Sequence, residues 1–201
     1  MNSLRCVCLL PLLTVLLWGQ SASQNRESAP SSQPATLVNG LYQQVVTRRP
    51  LGIPSGADMK AFAPYLSRPL RHRFDLNHAC FNDWRKRNPD PSLKPPVGMI
   101  ENGIFSGANE EAEPQAFHIE RTESEKDGSS RVYVRLTVGD PPNKPLVWYV
   151  AAVVIREDGQ PVVDDVLYLM GANGEVESRL SKDLSSGCDG PRWVGKRGHS
   201  N

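Results

Sequence analysis

Residues 146–170 read LVWYVAAVVIREDGQPVVDDVLYLM, and this stretch decides the fold. Two apolar runs, residues 146–156 and 161–170, lie on either side of the short turn sequence EDGQ. A separator this short predicts an antiparallel hairpin. The first run is apolar on both of its alternating faces, which favours a central strand that is covered on both sides. The second run is interrupted by Asp164 and Asp165.

More strands are predicted on either side of this hairpin. Residues 115–122 and 130–138 show the period of two that is typical of strands, and residues 174–180 show it more weakly. The separators EKDGSS, GDPPNKP and GANG consist of turn-forming residues. Ile104 and Phe105 are candidates for one further short strand. The C-terminal half of the chain therefore predicts a meander of antiparallel strands.

Helices are predicted before the strands. A 3.6-residue apolar period from Leu37 to Val45 indicates an amphipathic helix that ends near Arg48. The sequence GADMKAFAPYL indicates a short helix that is stopped by Pro64. These two helices precede the longest helical pattern in the chain.

The clearest helix begins after Ser67, a good N-cap, and carries Pro69 in its first turn, where the missing N–H costs little. At 100° per residue, one apolar stripe runs along this helix. Its members are Leu70, Phe74, Asn77, Phe81 and Trp84. Cys80 lies at the edge of the stripe, so it can reach inward to a partner.

Helices followed by strands predict an α+β fold, in which N-terminal helices pack on a curved antiparallel sheet. The strand sequence VWYVAAVVIREDGQPVVDDVLYL, residues 147–169, resembles that of an uncharacterised family of bacterial secreted proteins with the cystatin-like, nuclear transport factor two-like fold. The resemblance covers residues 36–180. It implies that fold, with an acid pair in a late strand after a hairpin turn. Because most members of that family have no known activity, it does not imply a function.

Residues 1–23 have the layout of a secretory signal peptide. Arg5 is the basic residue, an apolar run from Cys6 to Trp18 follows, and small residues lead to a predicted cleavage after Ser23. The apolar run is too short for an ordinary transmembrane helix. An uncleaved N-terminal anchor is the alternative. We expect a product that is exported to the periplasm or the extracellular space.

After cleavage we expect a flexible leader over residues 24–33, one α+β domain over residues 34–194 and a disordered tail over residues 195–201. The chain has 23 basic and 22 acidic residues, and the signal peptide removes one base and no acid, which leaves 22 of each. A balanced chain has no global attraction to nucleic acid or to an anionic membrane. We therefore expect no nucleic-acid partner and no stable membrane insertion after cleavage.

Two cysteines, Cys80 and Cys188, remain after the signal peptide is removed. In an oxidising compartment two cysteines predict one disulfide. The alternative is that they are two unrelated thiols. No HxH, HExxH or CxxC spacing is present, so we expect no metal site, and no sequence motif points to a cofactor.

The Asp164–Asp165 pair is the most unusual feature of the predicted sheet. Strand alternation would place the two side chains on opposite faces, with Asp165 on the face of Val163, Leu167 and Leu169. A carboxylate in such an apolar environment needs a partner. Asp165 is then either a site group or a structural carboxylate that pairs with an arginine of a neighbouring strand, for example Arg135.

The remaining site candidates are polar or aromatic side chains in apolar patterns. The predicted pocket residues are Asn77, Trp84, His118, Asp165 and Tyr168. Asn77 lies within the apolar stripe of the long helix, where a buried amide must be hydrogen-bonded, either to a ligand or to the backbone. His118 and Tyr168 are candidates to assist Asp165 in proton transfer.

These patterns predict a non-catalytic binding module for a small ligand or a protein partner, with an inhibitor or immunity-type protein as one form of such a module. The alternative is a small hydrolase or isomerase with Asp165 as general base. The size and lining of the cavity between the 68–87 helix and the sheet distinguish the two, since an enzyme needs a polar constellation around a substrate-sized pocket.

Overall fold

The structure is a computed structural model. Within the residues that it describes, it contains four α-helices, one short 3-10 segment and five strands. The described residues are 33–93, 103–107, 113–139 and 144–185, all within the unit Ser31–Asn201. The helices are α1 (Gln33–Arg48), α2 (Gly56–Phe62), α3 (Arg68–Arg87) and α4 (Leu180–Ser185). The strands are β1 (Ala116–Ser124), β2 (Ser130–Val138), β3 (Leu146–Glu157), β4 (Gln160–Met170) and β5 (Glu175–Arg179).

The predicted helices are present. Helix α1 buries the apolar face that its 3.6-residue period predicts, and a short 3-10 turn that contains Pro64 follows α2. Helix α3 begins as expected, because the Ser67 hydroxyl accepts a hydrogen bond from the Leu70 N–H at 3.0 Å and Pro69 lies in the first turn. Three basic residues occupy its last turn, where the helix dipole favours positive charge.

The buried face of α3 differs from the prediction at one position. Cys80 is buried, whereas Phe81 is only half-buried and has the guanidinium of Arg85 5.5 Å from the centre of its ring. The face of α3 that packs on the core is therefore rotated slightly, toward Cys80, relative to the apolar stripe that the sequence spacing predicts. The predicted disulfide partner of Cys80, Cys188, lies outside the described residues, so the pairing stays a prediction.

The strands form one antiparallel sheet in the order β1-β2-β3-β4-β5. Each strand lies within two residues of its predicted bounds. The centre of β3 is buried on both faces, since Val150, Ala151 and Ala152 are all inaccessible to solvent. The α+β class and the antiparallel meander predicted from the sequence are therefore confirmed.

Two local predictions at the margins of the sheet are wrong or incomplete. Ile104 and Phe105 do not form a strand but lie in a buried turn, and only their neighbour Gly103 makes an isolated bridge, to Leu51. Helix α4, directly after β5, had no counterpart in the sequence analysis. Its two apolar residues are too few to show a helical period.

The inner face of the sheet, which packs on the helices, is filled by side chains. The core includes Tyr42, Phe62 and Phe74 from the helices, Phe105 from the turn, and Val134, Val150 and Val166 from the sheet. The rings of Phe62 and Phe105 lie 4.7 Å apart, and those of Phe74 and Phe105 lie 6.1 Å apart. Phe105 thus occupies the space between helices and sheet where the sequence analysis placed a possible ligand cavity.

Three aromatic side chains hold the buried turn in place. The Tyr42 hydroxyl donates to the carbonyl of Phe105 at 2.8 Å, and the Tyr168 hydroxyl donates to that of Ile104 at 2.7 Å. The indole N–H of Trp148 donates to the carbonyl of Ser106 at 2.9 Å. Because buried carbonyls need donors, these bonds allow a non-repetitive segment to lie in the core.

Candidate functional site

The outer face of the sheet, which points away from the helices, carries its own apolar cluster. Its buried members are Tyr133, Ala151, Leu167 and Leu169. Tyr149 and Val153 pack against them and are half-buried. This cluster accounts for the double-sided apolar pattern of β3, because odd-numbered residues of β3 face outward and even-numbered residues face the helices.

Apolar side chains continue across the outer face toward one end of the sheet. We call Val147, Tyr149, Leu169 and Val176 the outer strip. Tyr149 pairs with Leu169, and Leu169 pairs with Val176, so these three lie side by side on β3, β4 and β5. Val147 and Val176 are 37% and 40% exposed, which is unusual for valines in a sheet. The outer strip is therefore an apolar surface open to solvent.

At the opposite end of the outer face lies an open groove of about 450 Å³. Val153 and Leu167 form its apolar part. The remaining lining residues are Glu125, Lys126, Asp127, Ser129, Arg131, Asp164, Asp165 and Arg179. We call this set the charged groove. It lies within the size range of ligand and side-chain pockets in proteins.

Both acids of the Asp164–Asp165 pair line this groove, which corrects the prediction that they lie on opposite faces. The pairing of β3 with β4 is irregular here: Val153 pairs with Asp165 and Val154 pairs with Val163, which leaves Asp164 as the extra residue of a β-bulge. The bulge also separates Val163 from Asp165, because Val163 joins the inner core. An extra residue shifts the two-residue alternation, and sequence periodicity alone does not reveal it.

Asp165 is largely buried and is bonded to the start of α4. Its carboxylate accepts hydrogen bonds from the Ser181 N–H at 2.9 Å and from the Ser181 hydroxyl at 2.7 Å. The guanidinium of Arg179 lies 3.6 Å away. The predicted partner Arg135 is instead paired with Glu120, at 2.6 Å. These contacts match the structural alternative for Asp165, with an arginine from β5 in place of one from β2.

Asp164 is positioned by the segment that precedes α3. Leu66 forms a parallel bridge with Val163, and the Ser67 N–H donates to the Val163 carbonyl at 2.8 Å. The Ser67 hydroxyl donates to one carboxylate oxygen of Asp164 at 2.6 Å. Within the described residues, no hydrogen bond or ion pair reaches the second oxygen of Asp164. This half-buried carboxylate is thus held in a defined place and remains available to the groove.

A second charged network covers Tyr133 on the outer face. The guanidinium of Arg121 lies 3.5 Å from the centre of the Tyr133 ring, and its Nε donates to Glu123 at 2.7 Å. The Tyr133 hydroxyl donates to the same carboxylate at 3.0 Å. The bond from Arg121, and then that from Tyr133, lower the pKa of the Glu123 carboxyl. This network is internally satisfied.

The other predicted pocket residues lie elsewhere. The Asn77 amide donates to the carbonyl of Leu184 at 2.9 Å, so it joins α3 to the end of α4. Trp84 is buried in the same helix, and its ring lies beside the guanidinium of Arg85. Both residues are part of the helical packing rather than of the charged groove.

His118 and Tyr168 are not near Asp165 in the arrangement that proton transfer would need. His118 is exposed on β1, three strands from Asp165, which is about 14 Å across the sheet. Tyr168 faces the inner core and donates to Ile104, whereas Asp165 faces outward. Burial raises the pKa of the Tyr168 hydroxyl well above its usual range, which makes it a poor proton donor. The geometry does not assemble these three residues into one catalytic site.

Most residues of the charged groove were not predicted from the sequence. Arg131 and Arg179 were not among the candidate residues, and Asp164 was considered only as the neighbour of Asp165. The residues come from the β1–β2 turn and from four strands, so no short motif contains them. The one sequence signal was the acid pair itself, an interruption of an apolar strand.

A smaller groove of about 270 Å³ lies between α2 and the start of α3, lined by Met59, Ala63, Arg68, Arg71, His72 and Asp75. Arg68 is already paired there with Glu157 and Asp158 at the β3–β4 turn. Within the described residues, no group of three or more His, Cys, Asp or Glu side chains could hold a metal ion. None of the described helices has both the length and the apolar character needed to cross a membrane.

Comparison with known proteins does not add to this picture. A scan against protein-family models found no match. Searches of curated proteins and of solved structures found no match either. The candidate function therefore depends on the outer face of the sheet as described above.

Proposed function

We propose that this protein is a non-catalytic binding module that uses the outer face of its sheet to hold a protein partner. The observation that carries the proposal is that one apolar cluster of the outer face contains both Leu169 of the outer strip and Leu167 of the charged groove, and so connects the two. A sheet face that carries exposed apolar side chains at one end and charged side chains at the other is typical of protein-binding surfaces. The filled space between the helices and the sheet favours this surface over an internal ligand cavity.

The proposal can be tested by selecting short random peptides for binding to the purified protein. We expect selected peptides to lose affinity when Val147 is changed to Glu, because the substitution places a charge in the outer strip. Leu76→Glu is the matched control, since Leu76 is also an exposed apolar residue, 41% exposed, but lies on α3. Each variant is compared with the wild type by fluorescence polarisation and by thermal melting.

Peptides that bind the wild type and the Val147→Glu variant equally well would contradict the proposal. The melting curves provide the necessary check on folding, because a surface substitution in a strand should change stability by only about 0.5 kcal/mol. Loss of binding in both glutamate variants would point to a general charge effect rather than to the outer strip.

We also propose a cystatin-like, nuclear transport factor two-like arrangement for the domain. The order of elements supports it: helices come first, the long α3 packs on one face of the sheet, and the strands follow as an antiparallel meander. An experimental structure with another strand order would contradict it.

Export and a Cys80–Cys188 disulfide are part of the same proposal. The signal-like sequence of residues 1–23 supports export, and the burial of Cys80 on the inner side of α3 makes it suitable for a shielded bond. Intact-mass measurement of the exported protein should show a chain that begins near Gln24. Peptide mapping without reductant should recover the linked cysteine pair, whereas free reaction of both thiols with a maleimide would exclude it.

A further inference from the structure

The charges that line the charged groove do not cancel. Four acids and three bases line it. Arg131 is paired with Glu125 at 3.0 Å, and Arg179 lies beside Asp165 at 3.6 Å. Outside these two pairs, the groove is lined by two acids, Asp164 and Asp127, and by one base, Lys126. The groove therefore carries one excess negative charge on its own lining.

Of the two acids that remain, Asp164 is the better placed to meet a partner. Asp127 is occupied by its own turn, because it accepts hydrogen bonds from the Ser129 N–H and hydroxyl at 2.9 and 2.7 Å. Asp164 has one oxygen bonded to Ser67 and a second oxygen without a partner within the described residues. It is half-buried, so a cation at its second oxygen would be attracted more strongly than at a fully exposed carboxylate.

The charged groove also has an apolar part. Val153 on β3 and Leu167 on β4 line it together with Asp164. Lysine and arginine side chains combine a methylene stem with a cationic end, and such side chains bury the stem on apolar surface and direct the charge to a polar group. Arg131 and Arg179 flank Val153 and Leu167 across the strands, but each already lies beside a carboxylate, Glu125 or Asp165. The groove therefore combines an apolar part with the available oxygen of Asp164, which complements this shape and charge.

We propose that the charged groove accepts a lysine or arginine side chain of the protein partner. Its methylene stem contacts Val153 and Leu167, and its cationic group bonds to the free oxygen of Asp164. This inference rests on the proposed function and names the partner chemistry for the same face. The partner segment therefore carries a basic residue for the charged groove in addition to the apolar residues that lie on the outer strip.

The test uses peptides recovered in the selection described above. Each is synthesised again with its lysine or arginine residues replaced one at a time by norleucine, which keeps an apolar stem and removes the charge. We expect one replacement to weaken binding to the wild type by about tenfold, because a charge-assisted hydrogen bond is lost. The same replacement should have little effect on binding to the Asp164→Asn variant, since that variant has already lost the interaction.

Asp164→Asn is a suitable variant because an amide oxygen can still accept the hydrogen bond from Ser67. Asp75→Asn is the matched control: it removes the same charge from an exposed position on α3, outside the charged groove, and should leave affinity unchanged. Selected peptides that depend on Val147 but contain no basic residue would overturn this inference and leave the proposed function intact. A norleucine effect of equal size in the wild type and in Asp164→Asn would also overturn it. Binding that is independent of Val147 would overturn both.

Discussion

Asp165 shows how a carboxylate within an apolar strand can serve the fold. It lies one residue after the bulge at Asp164 and accepts two hydrogen bonds from Ser181. Its charge is matched by Arg179 at the end of β5. The residue therefore joins β4 to the start of α4, a helix too short to be stable without such contacts.

Changing Asp165 to Asn should lower the free energy of unfolding by about 1–3 kcal/mol. The amide keeps only one acceptor oxygen and loses its charge, so one bond from Ser181 and the attraction of Arg179 are lost. Urea denaturation measures the change. Asp75→Asn removes an exposed carboxylate without a described partner and should have little effect. Equal or higher stability of the Asp165 variant would indicate that the carboxylate is a strained site group instead.

Gly107 is a second position at which a single substitution should affect stability, because its φ of +66° lies in the left-handed region. A Cβ atom added there would lie 2.7 Å from Cδ1 of the Tyr168 ring. That ring is fixed by its hydrogen bond to Ile104. Gly128 is a matched control, because its φ is also positive, +85°, but no atom lies within 4 Å of an added Cβ.

Gly128→Ala should cost about 1–2 kcal/mol of stability from backbone strain alone. Gly107→Ala should cost about 1–3 kcal/mol more, because it adds a clash with a packed ring to the same strain. Thermal or chemical denaturation of both variants separates the two contributions. Similar losses in the two variants would mean that the turn can move away from Tyr168.

For helix α3, the bounds agree with the prediction from the sequence, whereas the face that it buries differs from it. Its cap, its first-turn proline and its end at Arg87 follow from local chemistry, and the structure confirms them. The stripe of apolar residues placed Phe74 and Phe81 together in the core. The structure buries Phe74 completely and leaves Phe81 half-buried. Cys80 occupies the inner position instead.

The two phenylalanines should therefore respond differently to truncation. Phe74→Ala should lower stability by about 3–5 kcal/mol, as large-to-small changes in cores do. Phe81→Ala should cost clearly less, because much of its ring is already in contact with water and with Arg85. Denaturant titration of both variants is the measurement. Equal losses would indicate that Phe74 and Phe81 are buried to the same extent, as the apolar stripe in the sequence predicts, and would contradict the half-buried position of Phe81.

The stability of the whole molecule depends on two tyrosines in its core that are uncharged. Burial raises the pKa of Tyr42 well above its usual range, and it does the same for Tyr168. In the unfolded chain both ionise near pH 10, whereas in the native state they stay protonated above that pH. The native state then binds more protons than the unfolded state, so stability is fully present below pH 10 and falls as the pH rises further.

The free energy of unfolding should decrease above pH 10 by up to about 1.4 kcal/mol per pH unit for each tyrosine. Tyr42→Phe should cost stability at pH 7, because the Phe105 carbonyl loses its donor, but should show a shallower decline above pH 10. Denaturant titrations from pH 7 to pH 11 measure both effects. Parallel declines in wild type and variant would show that Tyr42 is not the group responsible.

Most elements of this fold could be predicted from the sequence because their causes are local. The cap at Ser67, the alternation in β2 and the turn between β3 and β4 each depend on residues a few positions apart. The candidate site could not be predicted in the same way. The bulge that brings Asp164 and Asp165 to one face depends on the register between β3 and β4, and the bond from Asp165 to Ser181 joins residues 16 positions apart. The carbonyls of Ile104 to Ser106 take their donors from α1, β3 and β4, so only the packed chain makes their place in the core stable.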